Sequence, residues 1–186
     1  MKRLLDVSVA LLGIVVLSLP FAVLWVLVRA TSPGPAIYWS DRVGRGNVVF
    51  RMPKFRSMRV GAPIVASHLL TDADSFITPM GRWLRRTSLD ELPQLFSVLR
   101  GSMSLVGPRP ALDSQCDLIE ARTKAGVPAL RPGVTGWAQI NGRDELSVAD
   151  KVSFDAWYLE HNSVRLDLRI LLITVLRVAQ RRGIAH

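Results

Sequence analysis

A single cysteine, Cys116, stands in the 186 residues, so no intrachain disulfide is available to staple the fold. That thiol usage fits a reducing compartment facing the cytosol. Histidine is scarce too: His68, His161 and His186 are scattered without ligand-like spacing, which argues against a zinc site. No glycine precedes Lys-Ser or Lys-Thr at P-loop spacing, and the chain shows neither internal repeats nor a low-complexity tract. Negative charge is the scarcer sign, with 15 Asp and Glu against 24 Lys and Arg and a formal net charge of +9. Combined with a hydrophobic share of 49%, that excess points to a membrane, a nucleic acid or phosphorylated substrates as the partner. The length suits one domain with a real core.

What the chain does have in quantity is apolar sequence at its front. After Lys2 and Arg3 the run from Leu4 to Val28 is broken only by Asp6. As one straight helix it would measure roughly 37 Å, enough to cross a bilayer. A cleaved signal peptide is disfavoured because the run continues well past any cleavage point near Ala22. Basic residues lie on both flanks, Lys2 and Arg3 before and Arg29, Arg42, Arg45, Arg51, Lys54, Arg56 and Arg59 after, so both ends are drawn to the same side. Pro20 removes a backbone donor inside the run and clashes with the turn before it. The carbonyl freed near Val16 needs a partner, and the Ser18 hydroxyl is placed to help. Two geometries fit: a hairpin that bends at Leu19–Pro20 and returns, or a tilted, kinked crossing.

Ser32-Pro33-Gly34-Pro35 ends any helix. "AIYW" and "NVVFRMPKFRSM", separated by the turn-like "DRVGRG", predict a small β-hairpin. Gly61 to Asp74 reads as a loop with a short helix, and Thr78 opens a helical pattern. In "RRTSLDELPQLFSVLRG", Ser88 followed by Glu91 is a capping-box pattern, and Leu92, Leu95, Phe96 and Leu99 form the apolar stripe behind it. "GSMSLVGPRPALD" reads as a turn and a Pro-fixed loop presenting Arg109. Asp113–Ala125 and Ser147–His161 read as helices, with the Gly-rich loop "LRPGVTGWAQINGRDEL" between them. The last segment, with Leu168, Leu171, Leu172, Val175, Leu176 and Ala179 at helical spacing and Arg169, Arg177, Arg181 and Arg182 off that face, suits core packing or a place among lipid headgroups.

Cationic side chains recur on the loops: Lys54 and Arg56, Arg85 and Arg86, Arg109, Arg131 and Arg143. Guanidinium groups grip phosphate through paired donors, and Gly turns such as "VGPRP" and "RPGVTG" let backbone amides approach an anion. Arg122, Arg165 and Lys151 read as solvated surface charges. Asp90 and Glu91 admit two readings. Glu91 can complete a helix cap, with Asp90 a first-turn charge worth roughly 0.3–1 kcal/mol. Alternatively the pair works on phosphates, with cations or Mg²⁺ screening the repulsion and a carboxylate attacking phosphorus. The helix N-terminus would then add positive potential beneath the group.

The pieces "KRLLDV", "SPGPAIYWSDRVG", "VVFRMPKFRSM", "TSLDELPQLFSVLRGSMSLVGPRP", "RPGVTGWAQINGR" and "YLEHNSVRLDL" are collinear over nearly the whole chain. Together they resemble the monotopic phosphoglycosyl transferases, also called bacterial sugar transferases, in their minimal form without extra membrane helices or an accessory domain. The resemblance implies transfer of a sugar-1-phosphate from a UDP-sugar to polyprenol (undecaprenyl) phosphate at the cytoplasmic face of the bacterial inner membrane. UMP is released, and glycans such as O-antigen, capsule or exopolysaccharide begin there. It further implies Asp90 as nucleophile with Mg²⁺ alongside, and Glu91 as metal or proton-transfer partner. Arg109 is implied to hold phosphate, Lys54, Arg56 and Arg85 to lend charge, and Arg131, Gln139, Asn141 and Arg143 to shape the nucleotide or sugar pocket.

The implied fold is α+β and mainly helical. Residues 1–30 form a re-entrant membrane helix, and residues 31–186 a cytoplasmic catalytic domain with a small β-hairpin and amphipathic interfacial helices. One departure stands out: family members often place Ser before the bend proline, where this chain has Leu19, so Ser18 is the residue left to replace that hydrogen bond. Nucleic acid is not an expected partner. The competing readings are a membrane-tethered adaptor binding anionic lipid or nucleic acid, and a single-pass protein with an extracytoplasmic domain.

Overall fold

Pro20 has no N–H to give, and a helical proline's ring meets the carbonyl four residues back, here Val16. The apolar run splits accordingly into α1 (Lys2–Val16) and α2 (Ser18–Thr31), bent by 64°. The break falls at Leu17, before the Leu19–Pro20 step, because the conflict lies in the turn preceding a proline. Pro20 itself then occupies the first turn of α2, where a missing donor costs nothing. The Ser18 hydroxyl donates to Val15 O at 2.8 Å, and Phe21 N donates to Leu17 O at 2.8 Å across the corner. Among the described residues no single helix is long and apolar enough to cross a membrane, whereas the bent pair together is, by length and composition.

The computed structural model describes residues 1–63, 73–142 and 145–180. Most of the loop expected over Gly61–Asp74, together with Arg143, Arg181 and Arg182, lies outside these residues. Beyond α2 run β1 (Ile37–Val43), β2 (Val49–Phe55), α3 (Ala73–Phe76), α4 (Pro79–Arg86), a 3₁₀ turn at Leu89–Glu91 and α5 (Gln94–Arg100). Then come β3 (Ser104–Val106), β4 (Ala111–Leu112), α6 (Cys116–Lys124), β5 (Gly133–Thr135), α7 (Trp137–Ile140), α8 (Val148–His161) and α9 (Val164–Gln180). The result is the α+β, mainly helical architecture expected.

The predicted hairpin is present, with Ile37 opposite Phe55 and Val43 opposite Val49. Its strands run further than their apolar residues suggest, taking in Asp41 and Arg42, so the turn shrinks to the segment around Gly46 and Asn47, both at positive φ. β4 joins the other edge of β1. A second sheet, β3 and β5 in parallel, lies inside stretches that read as loops. Strands this short show no alternation to read. Gly133 is what admits the close approach, since a Cβ there would lie 2.1 Å from Gly107 N.

One core cluster gathers Met52, Val98, Met103, Val106, Tyr158 and Ile170, and a second gathers Leu24, Val28, Ala36, Phe55 and Leu84. Each includes a residue of the bent pair: Ala10 of α1 joins the first, Leu24 and Val28 of α2 the second. Polar pins fix the outer ends. Lys2 Nζ donates to Asp167 Oδ2 at 2.6 Å and to Val106 O at 3.1 Å, and the Tyr158 hydroxyl donates to the other Asp167 oxygen. Arg3 donates to Val98 O and Leu99 O, while the Asp6 carboxylate accepts from Ser104 Oγ and Leu105 N. At the far end the Arg56 guanidinium donates to Ser32 O at 2.7 Å and Pro33 O at 2.6 Å. Both ends of the pair are therefore held on one body, while Leu11, Leu12, Val15, Val16, Leu19, Val23 and Val26 stay exposed.

α9 buries only part of its apolar residues. Ile170 is buried and Leu171 packs beside it, whereas Leu168, Leu172, Val175 and Leu176 are at least half exposed.

Removing Lys2 leaves a carboxylate that is 1% exposed without its countercharge. We expect Lys2→Met to lower stability by about 2–4 kcal/mol, toward the lower figure because Lys2 is itself a third exposed. Thermal unfolding in detergent reads the loss, and Lys2→Met combined with Asp167→Leu should recover part of it. An unchanged unfolding temperature for the single variant contradicts the pinning role.

Candidate functional site

The two acids do not open a helix. Ser88 sits at φ 55°, ψ 15°, its side chain caps nothing, and Leu89–Glu91 forms a separate 3₁₀ turn before α5 begins at Gln94. The capping box read from Ser88 and Glu91 is thus corrected. The reason is electrostatic: Glu91 Oε1 accepts from Lys54 Nζ at 2.9 Å and from Arg109 Nη2 at 3.1 Å. Two cations in a half-buried setting hold a carboxylate more firmly than one backbone amide does.

Lys54 reaches this point from β2, Arg109 from the loop between β3 and β4, and the acids from the 3₁₀ turn. Asp90 is 8% exposed, and Lys54 Nζ stands 4.0 Å from its Oδ2. No hydrogen bond to the Asp90 carboxylate forms among the described residues. Burial pushes this carboxyl up from its ordinary value; Lys54 pulls it down, Glu91 pushes it further up, and Arg85 and Arg109 pull it down more weakly. Arg85 donates to Ser57 Oγ at 3.0 Å, and its guanidinium is held below its usual value by burial, with Asp90 opposing. A buried, unbonded carboxylate among three cations suits attack on an electrophile whose negative charge those cations accept.

The structure thus brings together Lys54, Arg85, Asp90, Glu91 and Arg109. Others on the sequence list stand elsewhere. Arg56 is buried on the Ser32–Pro33 carbonyls, a structural clasp that accounts for three of its hydrogen bonds and takes it out of the phosphate-binding set. Arg131 donates to Gly101 O at 3.0 Å, and Asn141 to Trp137 O at 2.8 Å. Gln139 keeps both amide atoms buried with no partner among the described residues, a cost normally met by a bound water or ligand group. Arg143 lies outside the described residues.

Sequence reasoning missed Arg42, Arg122 and Asp155. Arg42, counted only as flanking charge, donates to Pro110 O at 3.3 Å, and burial together with Arg109 lowers it to about 10. Arg122, read as a surface charge, is 8% exposed and pairs with the buried Asp155. Arg42 lies within the "SDRVG" motif, which was a usable signal. Nothing in the helical pattern of α6 marks Arg122.

Among the described residues no three His, Cys, Asp or Glu gather as a metal cluster. The adjacent carboxylates fit Mg²⁺ on other grounds: this ion is commonly held by one or two carboxylates, its remaining ligands being water and substrate phosphates.

Two adjacent carboxylates among cations, on a body carrying a bent apolar helix pair, are what this arrangement defines. The bacterial sugar transferase family model matches residues 1–181, and the chain belongs to that family. It is 37% identical, over 98% of its length, to an undecaprenyl-phosphate galactose phosphotransferase of Salmonella typhimurium, covering 41% of that protein. It is 38% identical, over 99% of its length, to the uncharacterized sugar transferase EpsL of Bacillus subtilis, covering 90% of it. The exopolysaccharide production protein ExoY of Sinorhizobium fredii is 34% identical, with 87% covered. The chain spans about two fifths of the length of the first relatives it matches.

Because burial raises the folded-state pKa of Asp90 above 3.8, ionising it opposes folding. Stability from this group falls as pH rises through that interval and stays lower above it. Asp90→Asn should therefore unfold at a higher temperature than wild type at neutral pH, with the gap closing below the ordinary carboxylate range. Calorimetry across pH checks this, and a neutral-pH loss of stability contradicts it.

Proposed function

We propose that this chain transfers a sugar-1-phosphate from a UDP-sugar to polyprenol phosphate, yielding polyprenol-diphosphate sugar and UMP. The observation that carries the reading is Asp90: a buried carboxylate without a hydrogen bond among the described residues, beside Lys54, Arg85 and the Glu91–Arg109 pair. An Asp90 oxygen attacks the sugar-linked phosphorus of the donor. The bond from that phosphorus to the bridging oxygen breaks, and UMP departs with the electron pair. The phosphosugar is left as an acyl phosphate. A phosphate oxygen of polyprenol phosphate then attacks the same phosphorus and returns Asp90 to its carboxylate.

Lys54, Arg85 and Arg109 neutralise the donor's phosphates. Glu91 holds Lys54 and Arg109 in place before the donor arrives and assists with the metal or a proton. Mg²⁺, held by Asp90 and Glu91, would supply charge neutralisation at the phosphate oxygens when bound. Arg131, Gln139, Asn141 and Arg143 border the nucleotide or sugar in this reading, and the unpartnered Gln139 amide supports a ligand group there.

Residues 1–30 act as a re-entrant hairpin at the cytoplasmic face of the inner membrane, and residues 31–186 as the catalytic domain. The pins at Lys2, Arg3 and Arg56 support this, because they hold both ends of the apolar pair on one body. The exposed outer face of α9 suits the headgroup region. The names of relatives as undecaprenyl-phosphate galactose and glucose phosphotransferases support the acceptor.

With donor alone and Mg²⁺, wild-type protein should release one equivalent of UMP and carry a phosphosugar on Asp90, detected by mass spectrometry. Chelation should stop the release, and Asp90→Asn should lose at least about 10³-fold in turnover. The acid limb of kcat/KM should titrate above the ordinary carboxylate range and rise further in Lys54→Ala, since Lys54 lowers Asp90. Absence of any adduct with donor alone removes the proposal.

A further inference from the structure

Arg109 stands between two prolines, so neither neighbour has an N–H with which to fix the loop. Its backbone is held instead through three successive carbonyls, each by a donor from a different element. Gly133 N donates to Pro108 O at 2.8 Å, Arg122 Nη1 to Arg109 O at 2.8 Å and Arg42 Nη1 to Pro110 O at 3.3 Å. Arg122 is in turn gripped by Asp155 of α8, whose Oδ2 accepts from Nε at 2.9 Å and from Nη2 at 2.6 Å. Both partners are buried, Arg122 at 8% and Asp155 at 1% exposure. The guanidinium fork spans the two jobs at once, with one edge on the carboxylate and the remaining nitrogen on the Arg109 carbonyl. Lysine has no such geometry.

We infer that Arg122 and Asp155 are positioning residues for Arg109, setting where its guanidinium meets the donor's phosphate. This rests on the role given to Arg109 under the proposed function. A charged pair is costly to bury, and this one sits on the backbone of the residue that grips Glu91. A side chain held by its own backbone carbonyl keeps its root fixed while its tip exchanges Glu91 for phosphate. Loosening that root by about 1 Å costs roughly 10²-fold where alignment governs the rate.

The test is a double-mutant cycle on UMP release from a UDP-sugar, using full-length protein in detergent. In wild-type background Arg122→Gln and Asp155→Asn should each lower kcat/KM by about 10–100-fold, and Arg122→Lys should restore little. In an Arg109→Ala background the same changes should cost less than about 3-fold, because the group they position is gone. Equal losses in both backgrounds, or none in wild type, overturn the inference and leave the proposed function standing. Full activity in Arg109→Ala overturns it together with the role of Arg109. A wild-type protein that releases no UMP is a failure of the proposed function itself. Should Arg122→Gln not be recoverable folded, as judged by thermal unfolding, Asp155→Asn and Arg122→Lys carry the same comparison.

Discussion

Glu91 Oε1 is the point on which the site closes. Lys54 and Arg109 both reach that one oxygen, and they come from parts of the chain that share no local structure. Two cations brought this close repel each other unless a carboxylate lies between them. Glu91 supplies it, and so the hairpin strand β2, the 3₁₀ turn and the proline loop are gathered at one place. Asp90, next in the chain, is carried into the same field without being tied by it. The division is chemically apt: one carboxylate organises the cations, and the other, buried, takes no hydrogen bond from the described residues.

That field depends in turn on a second layer of buried charge. Arg42 is depressed first by burial and then by its neighbour Arg109, so the proline loop sits among guanidinium groups that tend to drive one another apart. Backbone hydrogen bonds are few because the prolines donate none. The loop stays in position because its carbonyls, which are strong acceptors, take up the donors of those same cations. Asp155 offsets one of the charges from behind. The arrangement stabilises a cluster that its own electrostatics would disperse.

The legible parts of this protein are those where one residue type dictates a conformation. Pro20 announced a break in the apolar run, and Ser32–Pro35 its end. The alternating and β-branched segments gave the hairpin, and Ser147 gave the start of α8. The acids and the loop arginines marked the site region. The rest depended on contacts that sequence spacing does not carry. Ser88 and Glu91 have the spacing of a capping box, yet Glu91 is claimed by residues 37 and 18 positions away. β3 and β5 are too short to show a period. Lys2 and Asp6 read as topological flank and interruption, yet Lys2 anchors α1 to Asp167 of α9 and Asp6 anchors it to Ser104 of β3. Arg56 and Arg122 were misjudged in opposite directions. Exposure of an arginine is a property of the packed fold, and neighbours in sequence do not reveal it.

The proposed chemistry requires a lipid phosphate and a soluble nucleotide sugar to meet, and the geometry bears on how that happens. Two residues separate α5 from the 3₁₀ turn that carries Asp90, and α5 packs on α1, where a Cβ at Gly13 would crowd Leu95 Cδ1 at 3.3 Å. Phe96 of the same helix meets the Phe21 ring of α2 edge-on at 5.7 Å. Asp90 is therefore coupled through one short helix to both arms of the bent pair. If those arms lie in the bilayer, the depth of Asp90 relative to the lipid phosphates is fixed by rigid packing, with no flexible linker between. A bend at Leu17 then has a purpose beyond topology: it lets α1 pack on α5 while Phe21 of α2 reaches Phe96 of the same helix. Straightening it would withdraw one arm and let the turn that carries Asp90 ride at an undefined height.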